Sequence, residues 1–356
     1  MGLRLPVAGL LAASLLAPAF VVAGVGRVQL DDGHLQVEIA PALGGRIVHV
    51  SLPGRPNLLK VGAAVDAVPD PVPAADGENI PYMGHELWTG PQSGWWLDQD
   101  VNPQRRAAAA QWPPDPWLAN ARNRIVERAA DRLVLEGMPS PVSGLRATQA
   151  FRLSGQSPAT LELSAEAVNV RDREVRRDLW FNTRLPAGSR VFVPVATPGD
   201  ARLRADETEA YAGPVAWWED GLYSLQLDPP PQGKTGRRGK IFIAPSAGWI
   251  AGFNAGQLLL IRFGRQPDEA IDPEHGQVEL YLDWHHGDPD AGLLELEVHA
   301  PMRTLAPAES MHAGETWTVL PYDGPDGIEA QRAALVQALA ALDIDGWQSP
   351  RKSPPE

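Results

Sequence analysis

The chain contains no cysteine. That excludes disulfides and also a lipid-modified cysteine behind a leader, so the fold rests on its core alone. Positive charge is scarce. Lys and Arg total 31 against 44 Asp and Glu, a formal net charge of −13. The basic residues form no stripe, which argues against nucleic acid or an anionic membrane as a partner. No internal period repeats, and no strand–helix–strand rhythm occurs. Several catalytic signatures are missing too. "GKT" at Gly233–Thr235 lacks the earlier glycine of a phosphate loop, because Asp228 stands there. There is no G-x-S-x-G elbow. His85-Glu86 has no second histidine four residues on, so the zinc-protease helix motif is absent.

What the sequence does have is alternation. "HLQVEIA" (34–40), "TLELSAEAV" (160–168), "QVELYLDW" (277–284) and "LLELEVHA" (293–300) switch between apolar and polar at every step, the mark of half-buried strands. Turn clusters separate them, and 34 glycines and 35 prolines are spread along the 356 residues. The fold class expected is all-β, with large antiparallel sheets. The stretch 63–81, rich in proline, alanine and acids, is expected to be a long loop over the surface. Residues 328–342 read as the one helix, with Ile328, Leu335, Leu339 and Leu342 on a face and Asp326 as its cap.

The first residues resemble an export signal. Arg4 precedes an apolar run from Leu5 to Leu16, and Val21-Val22-Ala23 supplies small residues for cleavage after Ala23. A retained membrane anchor is the alternative, although the run is shorter than the roughly 20 residues a span needs. The organisation expected is a signal peptide at 1–23, one β domain at 24–322, a C-terminal helix and cap at 323–347, and a disordered tail at 348–356. The place expected is the periplasm or the exterior, with no membrane contact after cleavage.

Chemistry is suggested in three places. The segments 277–284 and 293–300 read as a hairpin that gathers Glu279, Tyr281 and Asp283 with Glu295, Glu297 and His299 on one face. Carboxylates beside a tyrosine and a histidine bind hydroxyls or move protons; an ordinary solvated sheet face gives the same pattern. Five of the twelve tryptophans (Trp88, Trp95, Trp96, Trp112, Trp117) fall within thirty residues, next to His85 and Glu86. Indole rings suit the C–H faces of a sugar, with polar residues at the rim, or they plug the end of a core. In "RRDLWFNTRLP", Asp178, Trp180, Asn182 and Arg184 share a face. Arg46, in "GGRIVHV", binds a carboxylate or a hydroxyl, or bridges at a sheet edge. His285-His286 with Asp283 and Asp288 is the one metal-like grouping noted, and solvated turn histidines explain it equally well. No metal and no cofactor are expected.

The motifs "APALGGRIVHV", "MGHELWTGPQ", "PVSGLRATQAFRL" with "AEAVNV", "LWFNTRLPAGSRVFVPV" and "LLELEVHAPMRTLAPAESMHAGETWTV" occur in that order. Together they resemble the bacterial family called domain of unknown function 4380, within the galactose-mutarotase-like (aldose 1-epimerase-like) superfamily, from about Val28 to Val319. The resemblance implies a large antiparallel β-supersandwich whose concave sheet binds a carbohydrate. It also implies a glutamate base on a late strand, a histidine acid and an arginine that holds the sugar. On these positions Glu297 is the base and Glu295 the second choice, His85 the acid and Arg46 the arginine. Glu86, Trp88, Trp180, Asn182 and Tyr281 complete the expected binding set. The epimerase's central histidine strand has no match; the equivalent segment offers Trp180 and Asn182. The family usually carries glycine where this chain has Met83 and Ala308. Three functions follow: a secreted carbohydrate-binding protein, a sugar epimerase, or a structural envelope protein whose groove is filled by its own tryptophans.

Overall fold

Alternation in the sequence becomes alternation in burial. Along Ala159–Asn169, Leu161, Leu163, Ala165 and Ala167 point inward while Glu162 and Ser164 face out, as the two-residue repeat of a pleated strand requires. The computed structural model describes residues 26–288 and 290–344. The expected signal peptide and the tail at 348–356 lie outside the described residues.

Two ten-stranded sheets form. Across the first, the order is Val28–Asp31, Gln36–Ala40, Arg46–Ser51, His85–Trp88, Trp180–Leu185, Gly292–His299, Val278–His285, Gly236–Ile243 and Ala201–Ala205. These neighbours are antiparallel; the short strand Tyr211–Ala212 adds in parallel beside Gly236. The second sheet runs from Val215–Glu219 through Trp249–Asn254 and Ser310–Pro321 to Arg124–Arg128. A shared core joins them. Ile47, Leu87, Phe181, Leu280 and Leu296 of the first sheet pack with Leu133, Leu161, Ile261 and Trp317 of the second. This is the expected all-β supersandwich.

The helix forms at Ile328–Ala341 and lays Leu335 and Leu339 against Trp249, Phe253 and Leu260 on the outer side of the second sheet. Asp326 does not cap it. Gly327 takes the N-cap position at φ 139°, and no side chain accepts from the first turn. The stretch 63–81 is irregular apart from one helical turn, Ala64–Ala67.

Met83 and Ala308 both have left-handed backbones, at φ 58° and 64°. Such a conformation costs an L-residue about 1–2 kcal/mol. At Met83 the twist has a use, since its carbonyl accepts from Arg46 Nη1 at 2.6 Å.

Candidate functional site

The first sheet has a second face, turned away from the core. Phe181 and Leu185 of Trp180–Leu185 enter the core, so Trp180, Asn182 and Arg184 face the other way. Antiparallel register then aligns neighbours in rows. Glu86, Asn182, Glu297 and Glu279 form one row, and Trp88, Trp180 and His299 form a second. Arg184, Glu295, Tyr281, Lys240 and Arg204 form a third. Six strands thus converge on one hollow.

An ion-pair chain crosses from Arg46 through the first row to the third. Arg46 Nη2 bonds Glu86 Oε2, Glu86 Oε1 accepts from Arg184 Nη1 at 2.6 Å, and Arg184 Nε donates to Glu295 Oε1 at 2.7 Å. Burial pushes the Glu86 carboxyl up, but the two guanidiniums outweigh it and hold it at about 2. Arg184 also lies 5.0 Å over the Trp88 ring.

Beside this chain lies a buried charged nest. Lys240 Nζ stands 2.6 Å from Glu279 Oε2 and 2.9 Å from Glu297 Oε2. It hydrogen-bonds Glu297, whereas its contact with Glu279 is close but poorly aligned. Glu279 Oε1 faces His275 Nδ1 at 2.8 Å and His299 Nε2 at 3.7 Å. His299 Nδ1 meets Asp178 Oδ2 at 2.9 Å, and Gly90 N–H donates to the other Asp178 oxygen. A Cβ at Gly90 would sit 2.5 Å from that oxygen, so only glycine lets the backbone come this close.

The two glutamates respond differently to the same lysine. Burial pushes both up. At Glu279, Lys240, His299 and His275 reverse that and hold it well below the usual carboxylate range. Glu297 has Lys240 alone against it, with Glu295 and Glu279 repelling, and rises to about 8. Burial also opposes charge on His299, but Asp178 and Glu279 prevail and lift it to about 9.

A cavity of about 360 Å³ opens over these rows, lined by Trp88, Trp112, Trp180, Glu86, Arg184, Glu295, Tyr281, Lys240 and Arg204, with Ile80 and Met83 at one edge. That volume lies in the roughly 300–1,000 Å³ range of ligand pockets. Trp112 is 48% exposed at its mouth. Trp88, Trp112 and Trp180 line the cavity, but only Trp112 is exposed; Trp88 and Trp180 are buried in one cluster with Trp95 and Trp96, whose Nε1 groups bond the backbone at Thr89 and Pro113. Trp112 is thus the one exposed ring at the cavity, above a packed floor of indoles.

Of the residues singled out in the sequence, Glu86, Trp88, Trp180, Tyr281 and Glu295 meet at the cavity wall. Asn182 and Glu297 are fully buried in the same rows. Arg46 anchors the far end of the ion-pair chain. His85 is not among them. It shares the face of Leu87, turned into the core, where its Nδ1 meets Thr183 Oγ1 at 2.9 Å and its ring lies 4.9 Å edge-on to Trp317 of the opposite sheet. Burial lowers it to about 3, so it is neutral. The pairing of His85 with Glu297 across one cavity is corrected: one residue's offset from Glu86 puts His85 on the other side of the sheet. The grouping His285, Asp283 and Asp288 does not form a three-ligand cluster among the described residues; His275, Glu279 and His299 do. Lys240 and His275 went unnoticed in the sequence. Alternation in "GRRGKIFI" would have placed Lys240 on a face with Arg238 and Phe242, but nothing local marks His275, which lies in a turn.

The sequence profile described as domain of unknown function (DUF4380) matches residues 25–320. The chain belongs to this family. Comparison with curated proteins finds no match. Among solved structures, the DUF4380 chain is similar to a putative aldose 1-epimerase from Klebsiella pneumoniae subsp. pneumoniae at 13% identity, with 91% of this chain and 85% of that one covered and a TM-score of 0.52. It is also similar to a galactose mutarotase-like protein from Lactobacillus casei at 10% identity, with 83% and 100% covered and a TM-score of 0.50. At such identities the likeness establishes the galactose-mutarotase-like fold of this DUF4380 chain, not its chemistry.

Proposed function

We propose that this chain is an exported protein that binds a carbohydrate in the cavity of its first sheet. One observation carries the reading. Two residues that line the cavity, Trp88 and Trp180, have buried Nε1 groups with no hydrogen-bond partner among the described residues, and in the rows behind them both amide atoms of Asn182 and Glu297 Oε1 are likewise unpaired. Buried polar atoms are normally paired. A ring with apolar C–H faces and a girdle of hydroxyls offers partners to both kinds of surface. Trp112 stands exposed at the mouth of an open cavity, which supports a binding site over a groove plugged by its own tryptophans. Export rests on the leader-like sequence at 1–23.

A second reading is turnover. The 2.9 Å contact between Lys240 Nζ and Glu297 Oε2 favours it, because an ammonium and a carboxyl in contact supply an acid and a base. In that case Lys240 takes the part first given to His85. Lys240 lines the cavity and Glu297 lies behind it, so binding is the primary reading. The test is a glycan array followed by calorimetry on the best hit, with polarimetry for anomeric interconversion. Glu297→Gln is expected to fold and to lose affinity by ten-fold or more. Unchanged affinity in that variant, or no hit for the wild type, defeats the assignment. Interconversion by the wild type that Glu297→Gln abolishes moves the conclusion to the enzyme.

A further inference from the structure

We propose that His275, Glu279 and His299 bind a divalent transition-metal ion of the zinc class behind the wall of the cavity. One donor atom from each lies within 4.8 Å of the others. Two imidazoles and a carboxylate suit zinc and its neighbours rather than calcium or magnesium. All three come from one corner of the first sheet: the turn before Val278–His285, that strand itself, and the end of Gly292–His299.

The surroundings are those of a ligating histidine. Metal-binding imidazoles almost always give their second ring nitrogen to a carboxylate or carbonyl, which fixes the tautomer. Here His299 Nδ1 is held by Asp178 at 2.9 Å, and Asp178 is itself held by Gly90 N–H. His299 Nε2 is left aimed at Glu279. It is fully buried and has no hydrogen-bond partner among the described residues. His275 turns Nδ1 to the same Glu279 oxygen, and the two imidazoles stack 4.2 Å apart. The opposite His275 nitrogen touches Gln92 N–H at a long 3.4 Å, a contact that metal binding at Nδ1 gives up. Lys240 remains beside the second Glu279 oxygen, and the first, which also accepts from Gly276 N–H at 3.1 Å, has its other lone pair for the metal.

Position assigns the ion a structural part. The Trp180 ring, which lines the cavity, packs 4.5 Å from His299 and 5.2 Å from His275. A metal binding these two imidazoles fixes the surface on which Trp180 rests.

The experiment uses the purified full chain, stripped with a chelator and then titrated with Zn²⁺. Metal content, calorimetry and thermal unfolding are the readouts. One Zn²⁺ per chain and a raised Tm are expected. His275→Ala and Glu279→Gln should abolish stoichiometric binding, and Asp178→Asn should weaken it about 10–100-fold as an outer-shell change does. His285→Ala/His286→Ala should leave it intact. Should the ligand variants fail to fold, zinc X-ray absorption on the wild type decides, since two imidazoles at about 2.0–2.1 Å are required. Failure of the stripped wild type to take up one Zn²⁺, a coordination shell without two imidazoles, or loss of metal in the His285/His286 variant overturns the proposal. None of these outcomes depends on whether a carbohydrate binds.

Discussion

His85→Asn tests the division between the two faces of the first sheet. In the wild type, burial holds His85 at about 3 against an ordinary 6.5. The unfolded chain therefore takes up a proton at this position as pH falls below 6.5, while the folded chain does not do so until about 3. The sign follows: the contribution is intact above pH 6.5, and stability is lost as pH falls through the window from 6.5 to 3. Each pH unit inside it is worth about 1.4 kcal/mol, so the full loss is on the order of 5 kcal/mol. Asparagine keeps a polar group near Thr183 Oγ1 and has no proton to take up. It also leaves a gap beside Trp317 and Phe181, at a cost of roughly 1–3 kcal/mol. The variant should be less stable than the wild type at pH 7, draw level near about pH 5 where the histidine penalty reaches about 2 kcal/mol, and be the more stable of the two below that. Urea unfolding of both chains at half-unit steps from pH 4 to 7 measures the difference, in which the other titrating groups cancel. Parallel pH profiles would refute the argument. So would a variant that keeps wild-type stability but loses carbohydrate affinity, since that would return His85 to the site.

Trp112→Ala removes an exposed ring at the mouth of the cavity; affinity for the bound carbohydrate should fall about ten-fold, near 1.4 kcal/mol, with a Tm shift of no more than a degree or two on the strength of its exposure. Equal affinity by calorimetry removes Trp112 from the site. Ala308→Gly relieves a left-handed φ of 64°. The relief of about 1–2 kcal/mol exceeds the roughly 0.5–1 kcal/mol entropy cost of glycine, so denaturation should report a small gain, and a loss would show that the alanine methyl is needed.

Much of the architecture was written in the chain order. Period-two patterning at 160–168, 277–284 and 293–300 specified strands and put Glu295, Glu297 and His299 on one face of their strand and Glu279 and Tyr281 on one face of theirs; the register of the pair then brought the two sets to the same side. Composition excluded disulfides outright. Tertiary structure decided what that face meets. An alternating strand with a solvated polar face and one with a buried polar face look the same in sequence; here Glu279 and Glu297 are fully buried. The strand ahead of the tryptophan-rich segment decided against His85, because four consecutive buried residues, His85–Trp88, carry no alternation from which to read which of the histidine and the glutamate faces the core. Lys240, His275 and Asp178 come to the same nest from positions 97 residues apart or less, yet Lys240 lies on a strand and the other two in separate connecting segments. Local periodicity has no term for such long-range convergence, and only the pairing of strands brings their charges within reach of one another.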